Sequence, residues 1–342
     1  MSVKTFGDVS SLFSKTFQSD RPQKDRPKPD RPKIVFINLM DNALGTEKHF
    51  LNILKKASPD AEVILCRMAC NHKDPRYFNE QDYLNSDRYQ DWQTVIGNTY
   101  ADQVIVSGIN RGLLSYDDMK NDYKDFWDEC CTLFRKLQHA TRNGQVGHAT
   151  LICWAAFAAM KDLYEVEKDI HAEKFYGLFP HKIPSSDHPL VKGTQGSEIL
   201  IPQSRYSYME SSHLKDVIDY HQGTVAMDGP DGPAIWTLEQ QRISCIINHP
   251  EYSIDTLHKE YEFGKSKEGD DFAPPRNYDV QNINCAKHRE SFARLEEFCI
   301  TFYQNLINHA LEARPNASLP YKRSDEENSR PDIVLRQDFQ RG

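Results

Sequence analysis

Short apolar runs alternate along the chain with longer segments of helical character. The first runs cover residues 33–40, 62–66 and 103–108, and a helix is predicted between the first two, over residues 47–56. Because the apolar character of these runs is continuous, they are typical of parallel strands that are buried on both faces. Strands that alternate with helices predict an α/β fold, with a doubly wound, mostly parallel sheet flanked by helices.

The second half of the chain is less regular but still divides into elements. Residues 228–232 combine Asp, Gly and Pro between two apolar runs, which predicts a hairpin. The other predicted elements are strands over 197–201 and 242–247 and helices over 117–140, 253–263 and 288–311. Since parallel sheets bind ligands at the carboxyl ends of their strands, we expect Gly108, Cys153 and His249 to lie at one edge.

A strand–turn–helix pattern is centred on Cys153. The apolar run 147–152 ends at this cysteine, and residues 154–160 are rich in alanine and favour a helix. Unpaired N–H groups and the dipole at a helix amino terminus favour a thiolate and can hold an oxyanion. The pattern predicts a nucleophile, although a free cysteine is also common as a small buried hydrophobe.

His249 supplies the second part of a candidate catalytic group. It lies two residues after the end of the β-branched run 242–247, and Pro250 separates it from Glu251. A histidine that deprotonates a thiol needs a partner that holds its tautomer and its charge. The segment therefore predicts a Cys153–His249–Glu251 triad.

Composition narrows the class of protein. The formal net charge of −8 argues against bulk binding of nucleic acid or of an anionic membrane surface. No apolar run approaches the length of a membrane span, and the amino terminus lacks the apolar core of a secretion signal. The eight cysteines have the spacing neither of a disulfide framework nor of a zinc site. We expect a cytoplasmic protein without a metal.

Three regions are predicted along the chain. Residues 1–32 alternate Pro with Arg, Lys and Asp and are typical of a flexible arm. Residues 33–312 carry the predicted strands and helices and form the expected catalytic domain. Residues 313–342 are a polar carboxyl-terminal tail.

Many short blocks, in order, carry a family resemblance between about residues 33 and 311. They are Ile37-Asn38-Leu39-Met40, Thr46-Glu47, Ser107-Gly108, Gly112-Leu113, Cys153-Trp154-Ala155, Glu173-Lys174, Ser204-Arg205-Tyr206, His249-Pro250-Glu251-Tyr252 and Glu260-Tyr261. In these blocks the chain resembles the homoserine O-succinyltransferases. The resemblance implies a flavodoxin-like fold of the class I glutamine amidotransferase type, and an enzyme of methionine biosynthesis.

The resemblance also implies a two-step reaction. Cys153 would accept an acyl group from acyl-CoA, a co-substrate, and pass it to the hydroxyl of homoserine or a related hydroxy amino acid. His249 would be the general base, Glu251 its orienting acid, and the backbone N–H of Trp154 part of the oxyanion hole. No permanently bound cofactor is implied, and relatives are commonly homodimers.

Further residues are expected to bind substrate. In the family, a glycine at the position of Gly112 accompanies succinyl donors and a glutamate accompanies acetyl donors. Arg111 beside it could pair with a succinyl carboxylate or remain a solvated surface residue. The other candidates are Ser204, Arg205, Glu260, Tyr261 and Arg289.

The chain departs from the family pattern at three places. Asp41-Asn42-Ala43 replaces a lysine pair, Gln203 replaces a histidine, and Phe263 replaces an arginine that binds the carboxylate of the amino acid. An aromatic ring cannot substitute for a guanidinium group in binding a carboxylate. Either the acceptor is not homoserine, or its carboxylate is held elsewhere, with Arg205, Arg276 and Arg289 as candidates.

Two other functions remain open at this point. One is a cysteine hydrolase or amidotransferase of the same fold, in which water or ammonia replaces the alcohol. The other is an acyltransferase of specialised metabolism with an acceptor other than homoserine. A non-catalytic binding module is disfavoured because Cys153, His249 and Glu251 are all present.

Overall fold

The computed structural model describes residues 31–40, 43–72 and 87–314. Most of the predicted arm, most of the predicted tail, and Asp41 and Asn42 lie outside the described residues. The strands are β1 (Lys33–Ile37), β2 (Glu62–Arg67), β3 (Tyr89–Asp91), β4 (Ala101–Val106), β5 (Val146–Ile152), β6 (Asp169–Lys182), β7 (Glu198–Tyr208), β8 (Thr224–Gly229), β9 (Gly232–Leu238) and β10 (Ile243–Ile246).

Helices and strands alternate in most of the first half of the chain, as predicted, and less regularly in the second half. The helices are α1 (Ala43–Ala57), α2 (Trp92–Asn98), α3 (Tyr116–Asp122), α4 (Lys124–Arg142), α5 (Trp154–Tyr164), α6 (Ser211–Tyr220), α7 (Thr256–Glu268) and α8 (Ala286–Glu312). Short 3₁₀ turns cover Ala69–His72 and Pro189–Val191.

The strands of the described residues form one sheet in the order β3-β2-β1-β4-β5-β10-β9-β8-β6-β7. The six strands from β3 to β10 are parallel neighbours. The remaining pairs are antiparallel. The predicted α/β class is confirmed, and the antiparallel strands extend a parallel core.

The central strands β1, β4 and β5 are almost completely buried because helices cover both of their faces. Along β1, Val35 and Ile37 pack into one core cluster, which contains Phe134 of α4 and Phe157 of α5. The alternate residues Ile34 and Phe36 pack into a second cluster. There they meet Phe50 of α1 and Phe302 of α8. Successive side chains of a strand point to opposite faces, so a strand between two layers is buried at every position and is mostly apolar.

The structure differs from the predicted elements mainly at a strand whose polar residues mask the apolar pattern of a buried strand. The fourteen residues of β6 form a strand that the sequence pattern did not predict, because its first half is largely exposed and polar. The predicted helix 117–140 is divided into α3 and α4, since Tyr123 leaves the helical conformation. The predicted hairpin is present as β8 and β9.

A buried ion pair anchors the end of α8 to the sheet. Asp102 of β4 is fully buried, and Arg314 donates to its carboxylate through Nε at 2.6 Å and through a terminal nitrogen at 2.8 Å. The backbone N–H of Lys33 donates to the same carboxylate at 2.7 Å. Because the charge of Asp102 cannot reach water, its stability depends on Arg314.

Replacing Arg314 by methionine should therefore destabilise the fold. Loss of the guanidinium leaves a buried carboxylate with one backbone donor, and we expect the free energy of unfolding to fall by about 3 kcal/mol. Urea unfolding measures this change. Lys124→Met, which removes an exposed helical ion pair with Asp128, is the control and should have no measurable effect. Equal stability of the Arg314 variant and wild type would contradict the assignment.

Candidate active site

Cys153 occupies a sharp turn between β5 and α5. Its φ of 52° and ψ of −118° are unusual for a residue other than glycine. The turn is held because the N–H of Cys153 donates to the carbonyl oxygen of Ile246 at 2.6 Å, and the N–H of Ala156 donates to the carbonyl oxygen of Cys153 at 3.0 Å. The thiol is half-buried and stands at the amino terminus of α5. This is the geometry of a nucleophile elbow.

Gly108 lets the loop after β4 approach the elbow. A Cβ atom at this position would lie 2.9 Å from the Cβ of Cys153 and 3.2 Å from the carbonyl oxygen of Ile152. The first separation is shorter than real Cβ atoms adopt and the second is tight, so the absence of a side chain at Gly108 allows this approach. Residues 108–115, here called the glycine loop, thereby reach the carboxyl edge of the sheet beside the thiol.

His249 arrives at the same edge from β10. Its backbone N–H donates to the carbonyl oxygen of Pro202 at 2.9 Å, which fixes the segment beside β7. Its Nδ1 lies 2.7 Å from Oε1 of Glu251, and the imidazole lies within electrostatic reach of the Cys153 sulfur. The structure therefore brings Cys153, His249 and Glu251 together, although their roles remain predictions.

The electrostatics of this group favour a charged imidazole. Burial by itself lowers the pKa of His249, but the Glu251 carboxylate and the Cys153 sulfur outweigh it and raise the pKa well above its ordinary value. An imidazolium between a carboxylate and a sulfur stabilises the thiolate form of the cysteine. The arrangement suits a thiolate nucleophile whose partner can later donate and accept a proton.

A second polar cluster surrounds Glu260 beside His249. The ring of Tyr252 stacks on the imidazole of His249 at 4.5 Å, and its hydroxyl donates to Oε1 of Glu260 at 2.5 Å. The hydroxyl of Ser204 donates to Oε2 of Glu260 at 2.6 Å, and the Lys174 ammonium donates to the same oxygen at 3.3 Å. Ser204 and Glu260, predicted from the sequence, thus lie next to the triad.

Two members of this cluster were not predicted as site residues. Lys174 belongs to the Glu173-Lys174 block, and Tyr252 ends the histidine block, where the sequence favours the pocket wall and the core equally. Burial, together with the neighbouring Glu260 carboxylate, raises the pKa of Tyr252 well above its ordinary value, so its hydroxyl stays a donor. Their position in matching blocks was the only sequence signal.

The glycine loop holds Gly112 and Arg111. The carbonyl oxygen of Gly112 accepts from the hydroxyl of Ser207 at 2.9 Å, and from Lys168 at 2.7 Å. The guanidinium of Arg111 lies over the ring of Tyr123 at 5.5 Å, and Arg111 donates to the carbonyl oxygen of Asn110 at 3.0 Å. The loop is thus fixed by side chains from other elements.

The structure places Arg205 inside the protein rather than at an open surface. Its guanidinium donates to the carboxylate of Asp231 at 2.6 Å, to the side-chain oxygen of Gln203 at 3.0 Å and to the carbonyl oxygen of Ser207 at 2.5 Å. The side chain is 2 % exposed. These contacts show a role in fixing β7 to the β8–β9 hairpin, and its predicted contact with substrate stays a prediction.

The other candidate residues are spread around the site. Tyr261 is half-buried and packs near Phe272, with ring centroids 6.2 Å apart. Arg276 pairs with Glu173 at 3.1 Å, and both side chains are exposed. Phe263 is 60 % exposed.

Arg289 lines a cavity of about 490 Å³ between α1, α8 and the turn after β10. Glu251 and Tyr252 form part of the cavity wall, whereas the described residues that line it include neither Cys153 nor His249. Arg289 therefore lines a cavity that Glu251 borders but that the Cys153 thiol does not line.

Two features are absent from the described residues. In residues 31–40, 43–72 and 87–314, no three His, Cys, Asp or Glu side chains are grouped so that they could hold a metal ion. Nor does any helix in that part of the chain combine the length and the apolar character that crossing a membrane requires.

Solved structures identify the fold. The fold matches a glutamine amidotransferase from Thermotoga maritima, with a TM-score of 0.52 and 9 % identity over 81 % of this chain and 98 % of that chain. A glutamine amidotransferase from Methylobacillus flagellatus matches with a TM-score of 0.51 and 11 % identity, over 82 % of this chain and 95 % of that chain. The fold is that of the class I glutamine amidotransferases, with a cysteine at the elbow.

Sequence comparison then places the chain within one family. The family model for homoserine O-succinyltransferase matches residues 16–328. The homoserine O-succinyltransferase of Vibrio campbellii is 28 % identical over 78 % of this chain and 82 % of its own length. That of Alteromonas mediterranea is 30 % identical over 67 % of this chain and 68 % of its own length. The chain belongs to the homoserine O-succinyltransferase family, which is a family of transferases.

Replacing Glu251 by glutamine should lower the reactivity of Cys153. The Glu251 carboxylate raises the pKa of His249, so the pKa of His249 should be lower in the variant. As the pH rises, the variant imidazolium should therefore lose its proton at a lower pH than the wild-type imidazolium. We expect alkylation of Cys153 by iodoacetamide to be about tenfold slower at neutral pH. Peptide mass spectrometry follows the alkylated cysteine.

A surface carboxylate provides the control for this variant. Glu173→Gln removes the ion pair with Arg276, where both side chains are exposed, and should leave the alkylation rate unchanged. An unaltered pH profile in the Glu251 variant would remove Glu251 from the triad.

Proposed function

We propose that this protein is an O-acyltransferase that moves a succinyl group from succinyl-CoA, through Cys153, to the hydroxyl of homoserine or a related hydroxy amino acid. The observation that carries the proposal is that His249 contacts Glu251 and lies within electrostatic reach of Cys153 at the elbow, in a member of this family. Acetyl-CoA remains an alternative donor.

In the first step the thiolate of Cys153 attacks the carbonyl carbon of the thioester. The new carbon–sulfur bond forms as the bond to the coenzyme A sulfur breaks, and the imidazolium of His249 donates its proton to the leaving thiolate. The first N–H groups of a helix have no partner within it, so the N–H of Trp154 can donate to the oxyanion. Gly108 leaves room for that oxyanion beside the elbow.

In the second step the acceptor hydroxyl attacks the acyl-enzyme. Neutral His249 takes the hydroxyl proton, the oxygen bonds to the acyl carbon, and the sulfur of Cys153 leaves as a thiolate. Glu251 holds the imidazole in place and balances its charge through both steps.

The cluster around Glu260 is the proposed acceptor site. Ser204, Lys174 and Glu260 form a hydrogen-bonded group next to Tyr252, which stacks on His249. A carboxylate, an ammonium and a hydroxyl together suit a small molecule with both an amine and an anionic or polar group. With Phe263 exposed where the family has arginine, Lys174 is a cation within this cluster that can meet a carboxylate.

Cys153→Ala should abolish the covalent intermediate while it leaves the fold intact. Wild-type protein mixed with succinyl-CoA in the absence of an acceptor should gain the mass of one succinyl group, because the thioester has no acceptor to leave to. Intact-mass spectrometry of both proteins measures this gain. Absence of a modified wild-type protein would contradict the two-step scheme.

The same mixture separates the proposal from the hydrolase alternative. Continuous release of free coenzyme A with water alone indicates a hydrolase, whereas release that requires homoserine indicates the transferase. A panel of hydroxy amino acids then identifies the acceptor.

Gly112→Glu should shift the donor preference from succinyl towards acetyl. A Cβ at Gly112 would lie 3.6 Å from the Ser207 hydroxyl, an ordinary contact, so the larger residue can enter without a backbone shift. Its carboxylate would repel the succinyl carboxylate, and we expect the ratio of kcat/KM for succinyl-CoA over acetyl-CoA to fall by at least about tenfold. Gly112→Ala controls for size alone, and an unchanged ratio in the glutamate variant would refute this role.

A further inference from the structure

We propose that Lys168 is a positioning residue that clamps the glycine loop against the elbow and holds a positive charge within electrostatic reach of Cys153. The part of the proposal that concerns the acyl donor rests on the proposed function. The part that concerns the thiol does not depend on the identity of the substrate.

The end of α5 directs Lys168 back towards the elbow. Glu165 adopts a left-handed conformation with a φ of 58°, and the N–H of Val166 donates to the carbonyl oxygen of Met160 at 3.1 Å. This pattern ends a helix and reverses the chain. Val166 is fully buried, so the segment that carries Lys168 is anchored in the core.

The ammonium of Lys168 is surrounded by acceptors from the glycine loop. It donates to the carbonyl oxygens of Gly112 and Leu114, each at 2.7 Å, and to the hydroxyl of Ser207 at 3.4 Å. The Ser207 hydroxyl itself donates to the carbonyl oxygen of Gly112 at 2.9 Å. An ammonium has three donors, so these acceptors use all of them. The group therefore acts on the loop and its neighbouring strand.

The charge of Lys168 is partly removed from water. Burial lowers its pKa to about 8, while Asp118 and Cys153 act in the opposite direction. The ammonium also lies 5.3 Å from the centre of the Tyr116 ring. A cation held near a thiol favours the thiolate, in the same way that the helix amino terminus does.

Lys168 thereby links two parts of the site that the proposed mechanism uses together. One is the position of Gly112, which stands where the acyl donor is expected. The other is the thiol of Cys153. Lys168 can act on both Gly112 and Cys153 because the chain after α5 turns back and reaches the glycine loop.

Two substitutions separate the clamp from the charge. Lys168→Met removes both, whereas Lys168→Arg keeps the charge but cannot direct its planar donors to the same three oxygens. Lys161→Met is the matched control, because this lysine lies on α5 and pairs with Glu167 instead of the loop. If Lys168→Met does not fold, as judged by circular dichroism, Lys168→Gln takes its place.

Iodoacetamide alkylation of Cys153 across the neutral pH range tests the charge. We expect Lys168→Met to react about tenfold more slowly than wild type at neutral pH, and the arginine and Lys161 variants to react at the rate of wild type. A Lys168→Met protein that reacts as fast as wild type overturns the assignment of the charge.

Steady-state kinetics with succinyl-CoA test the clamp. We expect Lys168→Arg to raise the KM for succinyl-CoA about tenfold with a smaller change in kcat, since the loop is displaced while the nucleophile remains charged. A KM equal to that of wild type overturns the clamp. If wild-type protein does not turn over succinyl-CoA at all, the proposed function fails, and the alkylation assay still decides whether Lys168 acts on Cys153.

Discussion

The parallel register of β5 and β10 is the constraint on which the candidate site depends. Ile152 stands opposite Ile246, so both strands leave the sheet at the same level. The N–H of Cys153 then donates to the carbonyl oxygen of Ile246, which ties the elbow to the strand that leads to His249. A register slip of one residue would turn the side chains of β10 to the opposite face and separate the thiol from the imidazole.

Buried charges in this fold are met by opposite charges at fixed positions. Arg314 holds Asp102 at the end of α8, Asp231 holds Arg205 beside β7, and Glu251 holds His249. Such pairs contribute little net stability by themselves, but removal of one partner leaves a charge that water cannot reach. The pairs therefore fix the positions of the helices, strands and turns that carry them, including those around the candidate site.

The two halves of the sheet have different tasks at the site. The parallel half carries Cys153, His249 and Gly108 to one edge, as parallel strands must. The antiparallel half supplies Lys174 from β6 and Ser204 from β7, and α7 supplies Glu260, which both of them contact. The groups proposed to react thus come from the regular part of the fold, and the groups proposed to select the acceptor come from the part that differs most from the predicted pattern.

By itself the sequence determined the α/β class, the parallel core and the three residues of the proposed triad. Continuous apolar runs and the change from apolar to alanine-rich sequence at Cys153 are local signals, so they can be recognised in the sequence without knowledge of the tertiary structure. Only the tertiary structure decided that 169–182 is a strand, that Arg205 is engaged by Asp231, and that Lys168 reaches the glycine loop. These contacts join polar residues that lie far apart along the chain. The hydrophobic periodicity of one segment does not tell which distant residue its polar side chains will contact in the folded protein.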